Sequence, residues 1–200
     1  MSRRPYGPVA WLVDDLTDPA AWADSLRAMD VPGVVEIVPA ESTVVVRCTR
    51  ARHDDIGHVI DMVVPASRAE GSDRPVTIDV VYDGPDIAAL ASAAQVSIDD
   101  VIRLHVTGSY AVAFCGFSPG FGYLRGIDRR LHVPRRDTPR TSVPAGSIGV
   151  AAGYTCVYPS SSPGGWYLIG HTTAPMWDAE RNPPALLRPG QSVRFRRVPA

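Results

Sequence analysis

The chain has 200 residues, 45% of them hydrophobic, and a formal net charge of −1 at pH 7. This is the composition of an ordinary globular protein with one large or two small domains. No apolar run approaches the length of a membrane-spanning helix, and the charge balance is too mild for a nucleic-acid-binding protein.

The N-terminus favours a cytoplasmic location. Arg3 and Arg4 precede an apolar stretch that is short and ends at Asp14 and Asp15, which is not the pattern of a signal peptide. The three cysteines lie far apart and no C-x-x-C motif occurs. We therefore expect neither a zinc ribbon nor a disulfide framework, and we assign no metal site.

All 20 basic residues are arginine. The chain thus has no lysine for a P-loop, for a Schiff base or for carrying biotin. Charge is uneven along the chain, with 8 arginines against 13 acidic residues in residues 1–80 and 12 against 8 in residues 81–200.

The first part of the chain predicts alternating strands and helices. Strands are expected at 6–13, 34–38, 43–48 and 76–82, and helices at 20–29 and 53–64. Asp18 followed by Pro19 is a good helix start, with Asp as N-cap and Pro at the first helical position. The order βαββαβ predicts a two-layer α+β domain over residues 1–84, with a ferredoxin-like arrangement.

From residue 85 the pattern changes. Two short helices are expected within 86–105, the second starting at a Ser97 capping box. Short strands with frequent Pro and Gly follow, which is typical of an all-β barrel or sandwich. We expect residues 85–200 to form a β-barrel domain with these two lead-in helices.

Three stiff segments punctuated by Pro and Gly lie in this second part. They are the turn segment (residues 117–124), the arginine loop (residues 133–147) and the Trp segment (residues 162–172). In the turn segment Pro119 and Gly120 fit the central positions of a type II turn. Phe121 and Tyr123 follow with a spacing of two, so both rings should face the same side. These segments are either loops shaped to meet a ligand or simply the turns of a barrel.

The arginine loop is the best candidate for anion binding. Its Arg135, Arg136 and Arg140 are flanked by prolines, and arginine grips carboxylate or phosphate with a planar fork. The alternative is a solvated, partly ion-paired loop, in which each pair contributes roughly 0–1 kcal/mol.

His171, at the end of the Trp segment, is the best titratable candidate of the second part. A polar strand end is the alternative for this residue. Cys115 adjoins the turn segment, but no histidine is tied to it by spacing, so we favour a small buried side chain over a nucleophile.

The three segments carry a resemblance. FSPGFGYL (117–124), PRRDTPRTSVPAGS (134–147) and SPGGWYLIG (162–170) resemble the signature blocks of the allophanate hydrolase subunit 1 family. This family is also called the 5-oxoprolinase B-subunit family (PxpB) or the Kip-type kinase inhibitor family. VVEIVP (34–39) fits its N-terminal part, and the similarity runs from about residue 6 to the C-terminus.

The resemblance implies an N-terminal α+β domain followed by a cyclophilin-like barrel. It also implies an obligate partner, the PxpC/KipA-like subunit 2, in a heterotetramer, with a LamB/YcsF-type third subunit (PxpA). The implied activity is ATP-dependent opening of 5-oxoproline to glutamate, or hydrolysis of allophanate. ATP would be used by the assembled complex, and we assign no cofactor to this chain. The alternative is a regulator that inhibits a sensor histidine kinase.

Both substrates are small carboxylates with amide groups, which leads to an expected site. Arg135, Arg136 and Arg140 would bind the carboxylate, with Arg140 important for catalysis, and His171 would carry a proton. The remaining expected contacts are donors or walls around the substrate: Ser118, Pro119, Gly120, Phe121, Tyr123, Thr138, Gly146 and Ser147. Relatives often have Arg where this chain has His171, so the role of that position is open.

Overall fold

The computed structural model describes residues 1–66 and 74–199. By internal contacts the chain divides into two compact units, Met1–Ser72 and Asp73–Ala200. The division falls at this point rather than after residue 84. No helix among the described residues has the length and apolar character needed to cross a membrane.

The first unit is an antiparallel sheet with two helices. Its strands are β1 (Ser2–Pro5), β2 (Ala10–Asp14), β3 (Val34–Pro39) and β4 (Val44–Cys48), in the spatial order β1-β2-β4-β3. Its helices are α1 (Pro19–Ala28) and α2 (His53–Met62). The predicted start of α1 is confirmed, because the Asp18 side chain accepts a hydrogen bond from Ala21 N at 3.0 Å.

Side chains from both helices and from three of these strands form the core of the first unit. Trp22, Leu26, Ile56 and Ile60 of the helices are at most 1% exposed, and Val44 and Val46 of β4 are fully buried. The alternation of buried and exposed residues along β4 is the period-two pattern that predicted this strand.

One strand prediction for this unit is wrong. The strand expected at 76–82 is β5 (Val76–Val80), and it pairs in parallel with the C-terminal strand of the second unit's sheet, not with the first sheet. The first sheet is completed instead by β1, which pairs with β2. The predicted ferredoxin-like arrangement therefore fails at its last strand, because β5 pairs with β13, a strand distant in sequence, and not with the strands that precede it.

The second unit is built on a seven-stranded sheet. Its strands are β5, β6 (Tyr110–Cys115), β7 (Gly122–Arg125), β9 (Ser147–Ala151), β10 (Tyr154–Val157), β12 (Tyr167–His171) and β13 (Ser192–Arg197). Their order is β12-β9-β10-β7-β6-β13-β5. Strands β8 (Arg140–Val143) and β11 (Ser162–Gly164) form a separate pair. Mixed α/β structure with a barrel-like sheet is thus confirmed in coarse form.

The two edge strands of the large sheet meet. Val81 N donates to His171 O, and His171 N donates to Val81 O, each at 2.9 Å. At this closure Gly84 and Gly170 allow the backbones to approach, because a Cβ on Gly84 would collide with Gly170 N and a Cβ on Gly170 with Val81 O. The segment from Val81 to Asp86 therefore runs beside β12.

Two helices cover the sheet, α3 (Ile87–Ala93) against β12 and α4 (Ile98–Thr107) against β13. The predicted cap of α4 is confirmed, because Asp100 N donates to Ser97 Oγ at 3.0 Å. Leu90 of α3 and Val101 of α4 are fully buried in the main core with sheet residues such as Ile78 and Leu124. The linker between β5 and α3, which contains Asp83 and Asp86, thus lies along β12 from His171 to Leu168.

Candidate functional site

The turn segment adopts the predicted turn. Phe121 N donates to Ser118 O at 3.0 Å, and Gly120 has φ +82°, as the third position of a type II turn requires. A Cβ on Gly120 would lie 2.9 Å from Met176 O, so glycine is also needed for packing. Ser118 Oγ is buried and has no hydrogen-bond partner among the described residues.

Phe117, which precedes this turn, is in a strained conformation. Its φ is +70°, and Ser118 N donates across it to Gly116 O at 2.9 Å, which is the rare form of the γ-turn. Its side chain is 62% exposed. A strained backbone that presents an exposed aromatic ring marks this point as a contact candidate.

The aromatic residues of the turn segment lie in a cluster of rings. As predicted, Phe121 and Tyr123 share a side, with ring centroids 4.9 Å apart. Phe121 is only 2% exposed, however, and packs edge-on against Tyr158 and Trp166 in a small second core. Phe121 therefore supports the ring cluster from inside. The half-buried Tyr123 stacks on Phe114, with ring centroids 4.2 Å apart, and forms part of the surface of the cluster.

The arginine loop holds an ion cluster around Asp86. Asp86 Oδ1 accepts from Arg136 Nη1 and, at 2.8 Å, from Arg140 Nη2, while Oδ2 accepts from Leu168 N at 2.9 Å. Arg140 Nη1 also lies 2.8 Å from Oδ2. The Asp86 side chain is 5% exposed, and those of Arg136 and Arg140 are 30% and 28% exposed.

The surroundings of Asp86 keep it ionised. Burial opposes ionisation, but hydrogen bonds from Arg140 and from Leu168 N, together with both guanidinium charges, hold the pKa of Asp86 below its usual value. The ion cluster thus consists of two arginines sharing one carboxylate. Two of the three predicted anion-binding arginines are here, in partly ion-paired form.

The third arginine and the remaining loop residues lie elsewhere. Arg135 is exposed, with Cζ 5.9 Å from the centre of the Trp166 ring. Thr138 and Pro119 are also exposed. Arg135 therefore lies at the ring cluster, beside Trp166, rather than in the ion cluster.

The donors expected at Gly146 and Ser147 are used by the fold. Gly146 N donates to Tyr158 O at 2.7 Å, and Ser147 N donates to Pro144 O at 3.3 Å. Ser147 is 5% exposed and its backbone pairs with His171 across β9 and β12. These two residues hold the sheet together and leave no backbone N–H for a substrate.

His171 lies at the barrel closure beside a carboxylate. Its Nδ1 is 2.8 Å from Asp83 Oδ1, and the two side chains are 48% and 53% exposed. A carboxylate at one ring nitrogen fixes the tautomer and leaves the other nitrogen free to accept a proton. Within the described part of the chain, the His171 side chain makes its hydrogen bond to Asp83.

Sequence reasoning missed the two carboxylates that organise these groups. Asp83 and Asp86 flank Gly84 and Pro85, a run that the pattern identified only as a domain junction. Two aspartates three residues apart in a rigid Gly-Pro turn were the available signal. Their partners lie 88, 50 and 54 residues further along the chain.

A second missed feature is a buried polar chain at His105. Tyr82 Oη lies 2.7 Å from His105 Nδ1, and His105 Nε2 lies 3.0 Å from Thr155 Oγ1, which donates to Gly149 O at 3.0 Å. Because Thr155 donates to Gly149, its oxygen accepts from Nε2–H, and Nδ1 accepts from Tyr82. Burial lowers the pKa of His105 to about 3. The sequence showed only a histidine at a helix end.

Cys115 does not have the surroundings of a nucleophile. Burial raises its pKa to about 11, and its Sγ points at Leu187 O at 3.9 Å. Cys115 is half-buried rather than buried as expected, and the interpretation as a small packed side chain instead of a nucleophile is supported.

Residues 9–187 match the family model of the carboxyltransferase domain, subdomain C and D. The chain belongs to this family. It is 43% identical over 180 residues to the 5-oxoprolinase B subunit of Escherichia coli O157:H7, covering 87% of this chain and 83% of that protein. It is 46% identical over 128 residues to the protein of the same name from Bacillus subtilis (strain 168), covering 62% of this chain and 53% of that one. The resemblance found in the three motifs is thereby confirmed.

Solved structures share the fold. TTHA0988 is 31% identical with a TM-score of 0.83, and the match covers 96% of this chain but 40% of that one. The conserved uncharacterized protein PH0987 from Pyrococcus horikoshii is 32% identical with a TM-score of 0.61, over 98% and 97% of the two chains. The Kluyveromyces lactis urea amidolyase, at 17% identity and a TM-score of 0.72, is similar in fold alone. The chain thus spans about half of the Bacillus relative and less of TTHA0988.

Proposed function

We propose that this chain is a B-type subunit of an ATP-dependent amidohydrolase complex that opens the lactam of 5-oxoproline to give glutamate. The observation that carries the proposal is the 43% identity across 83% of a protein named as the B subunit of 5-oxoprolinase. A likeness at this level over most of the relative's length supports a shared role in the complex as well as a shared fold.

The geometry supports a subunit that needs partners. The described residues offer an ion cluster for a carboxylate and a His171–Asp83 pair for a proton, but Cys115 is protonated and no activated nucleophile accompanies them. The missing groups would come from the PxpC/KipA-like subunit 2, with the LamB/YcsF-type PxpA subunit, in a heterotetramer of this chain and subunit 2. The cyclophilin-like layout of the second unit belongs to the same proposal.

In this proposal each part of the site has a task. Arg136 and Arg140 bind the carboxylate of the substrate, whereas Arg135 lies at the ring cluster that contains Trp166 and Tyr123. His171, oriented by Asp83, accepts or returns a proton at its free ring nitrogen. ATP is consumed by the complex, and the lysine-free chain carries no biotin.

The test is an assay of the co-purified subunits. We expect ATP-dependent loss of 5-oxoproline that requires this chain, with no activity when it is left out. Allophanate is assayed in parallel, because the resemblance of the three segments also implies hydrolysis of allophanate. Consumption of allophanate alone would assign the older family activity to this chain. A lack of both activities, together with inhibition of a sensor kinase's autophosphorylation, would favour the regulatory alternative.

A further inference from the structure

The ion cluster carries one positive charge in excess. Asp86 offers one carboxylate to the guanidinium groups of Arg136 and Arg140. Asp137, the nearest acidic residue in sequence, is exposed and forms no ion pair with either arginine in the described structure. Tyr158, beside Arg140, is neutral because burial raises the pKa of its hydroxyl. The cluster therefore has two positive charges and one negative charge.

Both oxygens of the Asp86 carboxylate accept hydrogen bonds, but the two arginines keep N–H donors that have no acceptor in the described part of the chain. Asp86 accepts from both arginines and from Leu168 N. Each guanidinium has five N–H donors, and Arg136 Nε is buried without a partner among the described residues. The hydrogen bonds to Asp86 use one nitrogen of each guanidinium group, so an acceptor oxygen that reaches the remaining N–H donors would stabilise this arrangement.

The arginines are fixed in place yet reachable. Arg136 N donates to Gly165 O at 2.8 Å, and Arg140 pairs with Gly164 across β8 and β11, so both backbones are tied to the Trp segment. About 30% of each side chain is open to solvent. A small anion can therefore meet donors whose positions are already set, which lowers the entropy cost of binding.

We infer that the Arg136–Asp86–Arg140 cluster is a receptor for a planar monocarboxylate, and that Asp86 is its positioning residue and sets its charge preference. A monoanion neutralises the excess charge and matches the fork of a guanidinium. A phosphate dianion is disfavoured because, with Asp86, it would set three negative charges against the two guanidinium charges and leave the half-buried cluster negatively charged. The inference refines the proposed function by giving the cluster a preference for a monocarboxylate over phosphate and by making Asp86 the residue that sets it, and it rests on that proposal for the natural ligand.

The experiment measures binding of three probes to the purified full chain by calorimetry at pH 7.5 and low salt. The probes are 5-oxoproline, acetate and inorganic phosphate. We expect both carboxylates to bind at least tenfold more tightly than phosphate. Arg136→Gln should weaken carboxylate binding at least tenfold, whereas the matched control Arg196→Gln, which breaks an exposed pair with Asp79, should leave it unchanged.

Asp86→Asn gives the sharper result, because it removes the repelling charge and leaves two arginines unpaired. We expect phosphate binding to improve at least tenfold and the preference for carboxylates to be lost. Circular dichroism checks that the variant folds. If it does not fold, the comparison of Arg136→Gln with Arg196→Gln decides whether the cluster is the carboxylate receptor.

The overturning results are equal binding by Arg136→Gln and Arg196→Gln, an unchanged preference in folded Asp86→Asn, or no binding of either carboxylate. Failure here is separable from failure of the proposed function. A complex that consumes 5-oxoproline while the chain binds no carboxylate overturns this receptor alone. A chain that binds carboxylates in a complex without 5-oxoprolinase activity overturns the proposed function alone.

Discussion

At the residue scale, two aspartates determine how the candidate groups are presented. Asp83 orients His171 and Asp86 holds Arg136 and Arg140, and both aspartates lie on the segment that runs beside β12. The side chains with the most recognisable chemistry are therefore arranged by residues whose own sequence context suggested only a domain junction.

His171→Ala tests the proton role at this scale. If His171 carries a proton, the pH–rate profile of the assembled complex loses one limb, and kcat falls about 10²-fold or more. Asp83→Asn should produce a smaller loss of kcat with little change in KM, because it affects the orientation of the ring only. His58→Ala, an exposed histidine of the first unit, is the control. A profile of unchanged shape in His171→Ala would make this residue a polar strand end.

His105 gives a prediction about stability. Its folded pKa of about 3 lies below the unfolded value of about 6.5, so the unfolded chain binds more protons between these pH values. The contribution of His105 to the free energy of unfolding is complete above pH 6.5. It is lost as the pH falls toward 3, by about 1.4 kcal/mol per pH unit within that window.

Denaturant titrations at pH 4, 5, 6.5 and 8 check this expectation. The difference in unfolding free energy between wild type and His105→Gln should shrink steadily below pH 6.5. Other titrating groups are common to both chains and cancel. A difference that stays constant from pH 8 to pH 4 would show that His105 is not the buried neutral group described above.

At the element scale, the closure of the large sheet depends on a close backbone approach. Gly84 lies against Ile169 and Gly170, and Asp86 N donates to Leu168 O at 2.9 Å just beyond it. The same approach that joins β5 to β12 places both aspartates at their partners. Sheet closure and site geometry are thus one structural feature.

Gly84→Ala is expected to loosen this closure. The added Cβ meets backbone atoms that cannot rotate away, so the variant should lose about 1–3 kcal/mol of stability, as overpacked sites do. Gly116→Ala is the matched control, because a Cβ there meets nothing within 4 Å. Thermal and denaturant unfolding of the two variants gives the comparison, and equal stability would contradict the close approach.

At the scale of the whole molecule, the exposed aromatic ring of Phe117 suggests how a partner is engaged. Phe117 is 62% exposed on a strained turn, and aromatic anchors dominate the energy of protein interfaces. We propose that this ring contacts subunit 2 in the assembled complex.

Co-expression with subunit 2 and light scattering test this proposal. We expect a stable heterotetramer for the wild type and at least tenfold weaker association for Phe117→Ser. Tyr6→Ser is the matched control, because Tyr6 is similarly exposed at 60% but lies in the first unit. Equal association of the two variants would place the interface elsewhere on the chain, and two chains that elute separately would contradict the complex itself.

The sequence by itself determined the local features and the family. The Asp18 and Ser97 helix caps, the turn at Pro119 and Gly120, and the shared side of Phe121 and Tyr123 each depend on four or fewer consecutive residues, so their geometry follows from local backbone preferences. The three motifs likewise sufficed for the family, because long blocks in a fixed order are specific.

Only the tertiary structure decided which distant groups meet. The pairing of β5 with β13, the contacts of Asp86 with Arg136 and Arg140, and the burial of His105 against Thr155 join residues 50 or more positions apart. Such pairings depend on how the sheet closes and which backbones approach, and no local propensity encodes that choice. For this reason the sequence located the arginines, whereas the folded chain showed that a buried carboxylate holds two of them together.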